Sequence, residues 1–178
     1  MTNPKNTLAS TLRVLALREA SKVERAHTLP HHGSYSDGQH QYDATMLYLV
    51  LCPNPSFKVV KAIMVHDAGE RWVGDLPAPA KWSDGEMAKR HEQLERRCLT
   101  FLGMNITLTE EEGMWLKAVD TVELWLWAHE QMALGNANAS CIIGNLTSFF
   151  MRNSLPPEVV AFLKDYQWTR TPDEIPKL

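Results

Sequence analysis

The segment Val65-His66-Asp67-Ala68-Gly69-Glu70 puts an imidazole and two carboxylates close together in the chain. Neighbouring side chains on a helix stand about 100° apart, so His66 and Asp67 reach one cation if their helix edge faces it. Glu70 follows Asp67 by three residues and His66 by four, which places it on the same edge. Such a cluster is costly to bury alone, and a divalent ion removes the cost. About 0.3 His-Asp pairs arise by chance in a chain of this composition, and a capped or salt-bridged helix surface uses the same residue types.

Two more residues make the pair worth following. His40 stands at the start of another expected helix, and Asp120 lies within the apolar run Leu116-Lys117-Ala118-Val119-Asp120-Thr121-Val122. One His, a His-Asp pair and a distant Asp form a mixed nitrogen and oxygen ligand set. That set suits borderline or hard divalent ions such as Zn, Mn, Co, Ni or Fe rather than a thiolate site. An Asp on a helix also serves as an ordinary surface residue.

The third element is Gly74-Asp75-Leu76-Pro77-Ala78-Pro79-Ala80-Lys81-Trp82. A proline-stiffened loop leaving a metal-bearing helix holds Lys81 over an anion at low entropic cost. Asp75 is placed to pass a proton near a leaving oxygen. Read plainly, Lys81 is solvated and Asp75 caps a turn.

The elements that must position these groups are helical. Apolar periodicity predicts helices over Thr7–Ala20, from Asp37 as cap to Leu51, and from Ser56 to Val73, ending at Gly74. Leu76–Ala80 reads as extended loop, because proline removes helical donors and restricts its predecessor. Ser83-Asp84-Gly85-Glu86 reads as a capping box before a helix closed by Gly103. Thr109 is the expected cap of a long helix from Glu110 to Leu134. Asn138–Arg152 and a last helix opened by Pro156-Pro157 and running through Asp165 complete the set, followed by a loose tail. Strand alternation and hairpin turns are nearly absent. The expected architecture is all-α, a single domain over 1–178 with about six or seven helices around one core.

Composition narrows the function. The chain has 178 residues, 44% hydrophobic and 22% charged, which excludes a disordered or fibrous protein. Eighteen basic against 21 acidic residues leave a net charge of −3, so no global field grips a nucleic-acid polymer. An anionic small molecule then needs local positive charge or a metal. Cys52, Cys98 and Cys141 form no CxxC pair and, with no secretory leader read at the N-terminus, suggest a reducing cytoplasmic setting. No apolar run spans a bilayer. The Lys89–Arg97 stretch, with His91-Glu92-Gln93-Leu94-Glu95, lacks the second His of a metalloprotease helix and reads as a solvated face laced with ion pairs. Trp115, Trp125 and Trp127 read as core or subunit packing.

The combination of His40, His66-Asp67 and Asp120 resembles the H…HD…D pattern of the HD-domain metal-dependent phosphohydrolases. The stretch His66–Trp82 closely resembles bacterial HD-domain 5'-deoxynucleotidases and is similar to bacteriophage dATP triphosphohydrolases. By that resemblance His40, His66, Asp67 and Asp120 ligate a divalent metal, with Zn, Co or Mn expected and a second ion such as Mg beside it. Glu70 would orient or activate the attacking water, and Asp75 would assist the leaving group. Arg25 and Lys81 would contact phosphate. These relatives often follow that Arg with Trp, which packs on the sugar, whereas this chain reads Arg25-Ala26-His27-Thr28. His27, Thr28 or Pro79 would then line the nucleoside pocket beside Ala26. The implied activity is hydrolysis of deoxynucleotide phosphates, dATP first and dNMPs second, in a cytoplasmic homo-oligomer. A non-catalytic nucleotide-binding domain is the reading of another class.

Overall fold

A long central helix organises the molecule because its sequence is capped at one end and apolar on several faces. The computed structural model describes residues 9–166. In it Ser10–Ala20 (α1), Asp37–Leu51 (α2), Phe57–Ile63 (α3), Glu70–Val73 (α4), Ala78–Ser83 (α5), Gly85–Phe101 (α6), Glu110–Ala133 (α7), Ser140–Arg152 (α8) and Pro157–Asp165 (α9) are helical. A 3₁₀ turn at Ala137–Ala139 precedes α8. Among the described residues there is no strand, only a lone bridge between Glu24 and Ser36. The all-α expectation is met.

Helix α7 begins as its sequence requires. Thr109 accepts from the Glu112 N–H while the Glu112 carboxylate accepts from the Thr109 N–H, and three glutamates fill the first turn. Its inward residues Trp115, Ala118, Val119 and Val122 meet Ala44 and Tyr48 of α2, Val59 and Ile63 of α3 and Val159 of α9. Each fully buried Val or Ile contributes about 1.5–3 kcal/mol of transfer free energy. Further along, Trp125, Trp127 and Ala128 pack with Tyr35, Ile142 and Leu146. The tryptophans are therefore core residues. A third cluster of Ala16, Ala20, Val65, Ala68 and Leu102 joins α1 to the turns after α3.

Several boundaries differ from expectation. Ser36, not Asp37, caps α2, its hydroxyl accepting from the Gln39 N–H; Asp37 is the first helical residue and is fully buried. The helix expected over Ser56–Val73 breaks into α3 and α4. Between them Val65, Ala68 and Glu70 donate to the carbonyls of Ala62, Val65 and Asp67, i→i−3 bonds that tighten the chain into 3₁₀-like turns. His66 and Asp67 thus sit on turns rather than on a helix edge. The loop expected over Leu76–Ala80 is shorter, because Pro79 lies in the first turn of α5, where a missing N–H is harmless. Asp84, not Ser83, caps α6, accepting from the Glu86 and Met87 N–H groups. The residues before Ala9 and the tail beyond Tyr166 lie outside the described residues.

Candidate metal centre and substrate cavity

Three elements deliver four side chains to one point. His40 comes from the first turns of α2, His66 and Asp67 from the turns after α3, and Asp120 from α7. One ligand atom each of His40, His66 and Asp67 lies within 4.8 Å of the others. Asp120 Oδ1 stands 3.2 Å from His40 Nε2 and 3.6 Å from His66 Nε2. Asp67 Oδ2 is 3.1 Å from His66 Nε2 and 3.8 Å from His40 Nε2.

The tautomers are fixed from behind. His66 Nδ1 is 2.8 Å from the Ile63 carbonyl, which can only accept, so Nδ1 carries a hydrogen and Nε2 is the atom turned toward the cluster. His40 Nδ1 contacts Glu123 Oε2, and the same oxygen accepts from the Tyr35 hydroxyl at 2.5 Å. Both Nε2 atoms are buried and make no hydrogen bond. Lys117 occupies Asp120 Oδ2 at 2.9 Å, leaving Oδ1 to face the imidazoles. This is the arrangement a ligated ion needs, ligand atoms forward and partners behind.

Electrostatics make the same point. The His66, Arg25 and His40 charges outweigh burial and hold the Asp67 carboxyl at about 2. Asp120, with Lys117 and both imidazoles against the effect of burial, lies well below the usual carboxylate range. Two carboxylates beside the imidazoles are thus anionic. Burial, Asp67 and Asp37 push Glu70 up to about 10, and its Oε2 is buried without a partner. Burial and Asp67 raise Asp37 to about 6 despite Arg25. A site with more carboxylate than nearby cation, two bare imidazole nitrogens and an orphaned glutamate oxygen fits a divalent ion.

Arg25 is buried beside this centre. One Nη1 donates to Asp67 Oδ2 at 2.5 Å and to Asp37 Oδ1 at 3.1 Å. Arg25 and Tyr35 also line a cavity of about 140 Å³. Ala26, Thr28 and Leu29 continue one wall, Asp75 to Pro79 and Lys81 form the second, and Leu124, Cys141 and Ile142 the third. Asp75 Oδ2 accepts from the Ala26 N–H at 3.3 Å, joining the first two walls. Ala26 has φ +50°, a left-handed backbone that an L-residue adopts at a cost of about 1–2 kcal/mol. Of the pocket residues named from sequence, Arg25, Ala26, Thr28, Pro79 and Lys81 line this cavity, as does Asp75. His27 does not; its imidazole is 45% exposed and 3.8 Å from Asp75 Oδ2.

Sequence reasoning missed Tyr35, Asp37, Lys117 and Glu123. Glu123 follows Asp120 by three residues in an apolar helix, the spacing that shares a face, and that signal was readable. Tyr35 had none, since only the fold brings it under His40 and against Trp127, stacked at 4.5 Å.

No curated protein matches the sequence. Among solved structures, an HD-domain phosphohydrolase from Listeria innocua superposes with TM-score 0.70 at 17% identity, covering 87% of this chain and 86% of that one. The cyanophage S-2L HD phosphohydrolase, solved bound to dA and one catalytic Zn²⁺, gives 0.64 at 18% identity over 89% of this chain and 94% of that one. A conserved hypothetical protein from Pyrococcus furiosus gives 0.61 at 20% identity, over 80% of this chain and 98% of that one. These likenesses concern the fold. The HD domain family profile matches residues 21–139, more than half of the sequence, and the chain belongs to the HD domain family.

Proposed function

We propose that the chain is a metal-dependent phosphohydrolase of deoxynucleotides, with dATP the first substrate to test. The observation that carries this reading is the pair of bare, buried Nε2 atoms on His40 and His66, facing Asp67 and Asp120 beside a cavity that ends at Lys81. The dA-bound cyanophage structure supports a nucleoside in such a cavity.

His40, His66, Asp67 and Asp120 hold a divalent ion, which when bound neutralises phosphate charge and brings a water pKa from about 15.7 toward about 7. Glu70, orphaned at Oε2, would orient the attacking water, and would take its proton once a cation at the site offsets the burial and the Asp67 and Asp37 charges that otherwise keep its carboxyl protonated. Asp75 lies at the cavity wall to protonate the leaving oxygen. Arg25 and Lys81 oppose the negative phosphoryl oxygens, which is most of what phosphoryl transfer asks of a protein. Leu29, Leu124 and Ile142 exclude water from the nucleoside end. We assign Thr28, Pro79 and Ala26 to the nucleoside wall, His27 to its exposed rim, and a homo-oligomeric state to the protein in solution.

A second reading, a 5'-deoxynucleotidase acting on dNMPs, has its own support. Arg25 is already shared between Asp37 and Asp67, which leaves Lys81 as the other cation of the described cavity residues. That charge matches a monophosphate better than a triphosphate. Phosphate release from dATP, dAMP, ATP and the other deoxynucleotides, with Zn, Co, Mn or Mg added after chelation, tests both. Hydrolysis that requires the metal is the expected result, with the preferred chain length deciding between the readings. Inactivity on the whole panel, or turnover indifferent to chelator, overturns the assignment.

A further inference from the structure

Helix α6 carries a charged stretch in which two residues behave unlike their neighbours. Arg90 pairs with Glu86 and Arg96 with Glu92, side chains that are more than half exposed. His91 and Glu95 lie between them, yet their side chains are 13% and 18% exposed. Both are half-buried, while the stretch around them is the ion-paired, exposed face expected of it.

We infer that His91, braced by Glu95, is a positioning residue that fastens the cavity segment Gly74–Lys81 to α6. His91 Nε2 lies 3.0 Å from the Gly74 carbonyl oxygen. A carbonyl only accepts, so Nε2 carries a hydrogen and donates it. His91 Nδ1 is 3.1 Å from Glu95 Oε1, an ion-pair contact one helical turn on. The ring cannot turn without losing the hydrogen bond to Gly74 and the ion-pair contact with Glu95.

Glu95 is itself fixed by backbone. A Cβ on Gly69 would stand 2.9 Å from Glu95 Cα and 3.0 Å from its carbonyl oxygen, so α6 rests directly on the chain next to the His66-Asp67 pair. Glu95 and His66 also border the same second cleft. The fastened residue matters as much. Gly74 ends α4 with φ +76°, and the cavity wall begins at Asp75. That wall has a second anchor at Asp75 Oδ2 on the Ala26 N–H, and Pro77 and Pro79 stiffen what lies between. Gly74 and Asp75 therefore set where Lys81 stands.

The inference rests on the proposed function only in naming what Lys81 and Asp75 contact. His91→Leu removes the Gly74 hydrogen bond and the Glu95 contact. His91→Gln keeps a donor near Nε2, because the longer amide reaches Gly74. In His91→Leu we expect KM for the deoxynucleotide to rise about tenfold or more, a misplacement-sized effect, while titrated Mn²⁺ affinity stays at the wild-type value. Amide exchange across Gly74–Lys81 should quicken about tenfold, and His91→Gln should restore both readouts. Should His91→Leu not fold, His91→Asn, whose amide stops short of Gly74, replaces it. Wild-type KM together with wild-type exchange in the Leu or Asn variant overturns the strap. If the wild-type chain hydrolyses no nucleotide, the proposed function fails, and the exchange comparison alone still decides the strap.

Discussion

Arg25 donates to Asp67 Oδ2 at 2.5 Å, and that same oxygen stands 3.1 Å from His66 Nε2. A single carboxylate oxygen thus faces the candidate metal cluster and holds Arg25, which lines the neighbouring cavity. Arg25 also reaches Asp37, so its guanidinium neutralises two buried carboxylates at once. Removing one member of a buried ion pair costs about 3–5 kcal/mol. Arg25→Leu should therefore lower the melting temperature of the chelated protein sharply, and Arg25→Leu with Asp37→Leu should recover part of the loss. Thermal melts in EDTA check both; a double variant no more stable than the single one contradicts the pairing.

Glu123 supports His40 from behind, and Tyr35 supports Glu123. Loss of such an outer partner weakens metal affinity about 10–100-fold. Glu123→Gln should show a loss of that size in calorimetric titration with Zn²⁺ or Mn²⁺. Tyr35→Phe should show a smaller one, since the carboxylate still holds the imidazole. Equal affinities in Glu123→Gln and wild type would mean that His40 is not a ligand.

Glu70 links pH to stability. Its carboxyl is raised from 4.5 to about 10 by burial, Asp67 and Asp37. A raised value stabilises the folded, metal-free protein fully below the unfolded value near 4.5 and loses that contribution as pH climbs toward 10. His40 adds a loss of the same sign between 6.5 and about 9, its contacts with Asp120 and Glu123 outweighing burial and Arg25. Glu70→Gln cannot ionise. At pH 9 in EDTA it should be more stable than wild type by at least about 1.4 kcal/mol, one pKa unit's worth, while losing turnover with metal present. Denaturant curves at pH 5 and pH 9 measure the difference, and a variant less stable than wild type at pH 9 refutes it.

The sequence carried the candidate ligands further than it carried the chain path. Residue type and company picked out His40, His66, Asp67 and Asp120, and the fold gathers them. The Thr109–Glu112 capping box was equally readable, because both partners lie within one turn. The path between Met64 and Gly69 was not, since apolar periodicity does not distinguish i→i−4 from i→i−3 bonding. The expectation that Glu70 shares an edge with His66 assumed a continuous helix; Glu70 is buried at the start of α4 instead. Asp37 read as a cap because an acidic residue before an apolar run usually is one. Its partner Arg25 is distant in sequence, and the bridge between Glu24 and Ser36 that aligns them leaves no local signature. The contact of His91 leaves none either: the Gly74 carbonyl it meets is visible only once α6 has docked.

That docking rests on Gly69 and gives the most exacting test of the local geometry. Gly69 needs no special φ, so its role is closeness alone. A Cβ there would meet the Glu95 backbone at 2.9 and 3.0 Å and Cys98 Cβ at 3.3 Å, and backbone atoms of a helix cannot yield as a side-chain tip does. Gly69→Ala should therefore push α6 outward, at about 1–3 kcal/mol of stability, the usual cost of overpacking. Because His91 travels with α6, the same variant should loosen the Gly74–Lys81 segment and raise KM. A matching change at Gly85, where no atom lies within 4 Å of an added Cβ, should leave KM unchanged. Equal stability and KM in the two alanine variants would show that α6 does not depend on this contact.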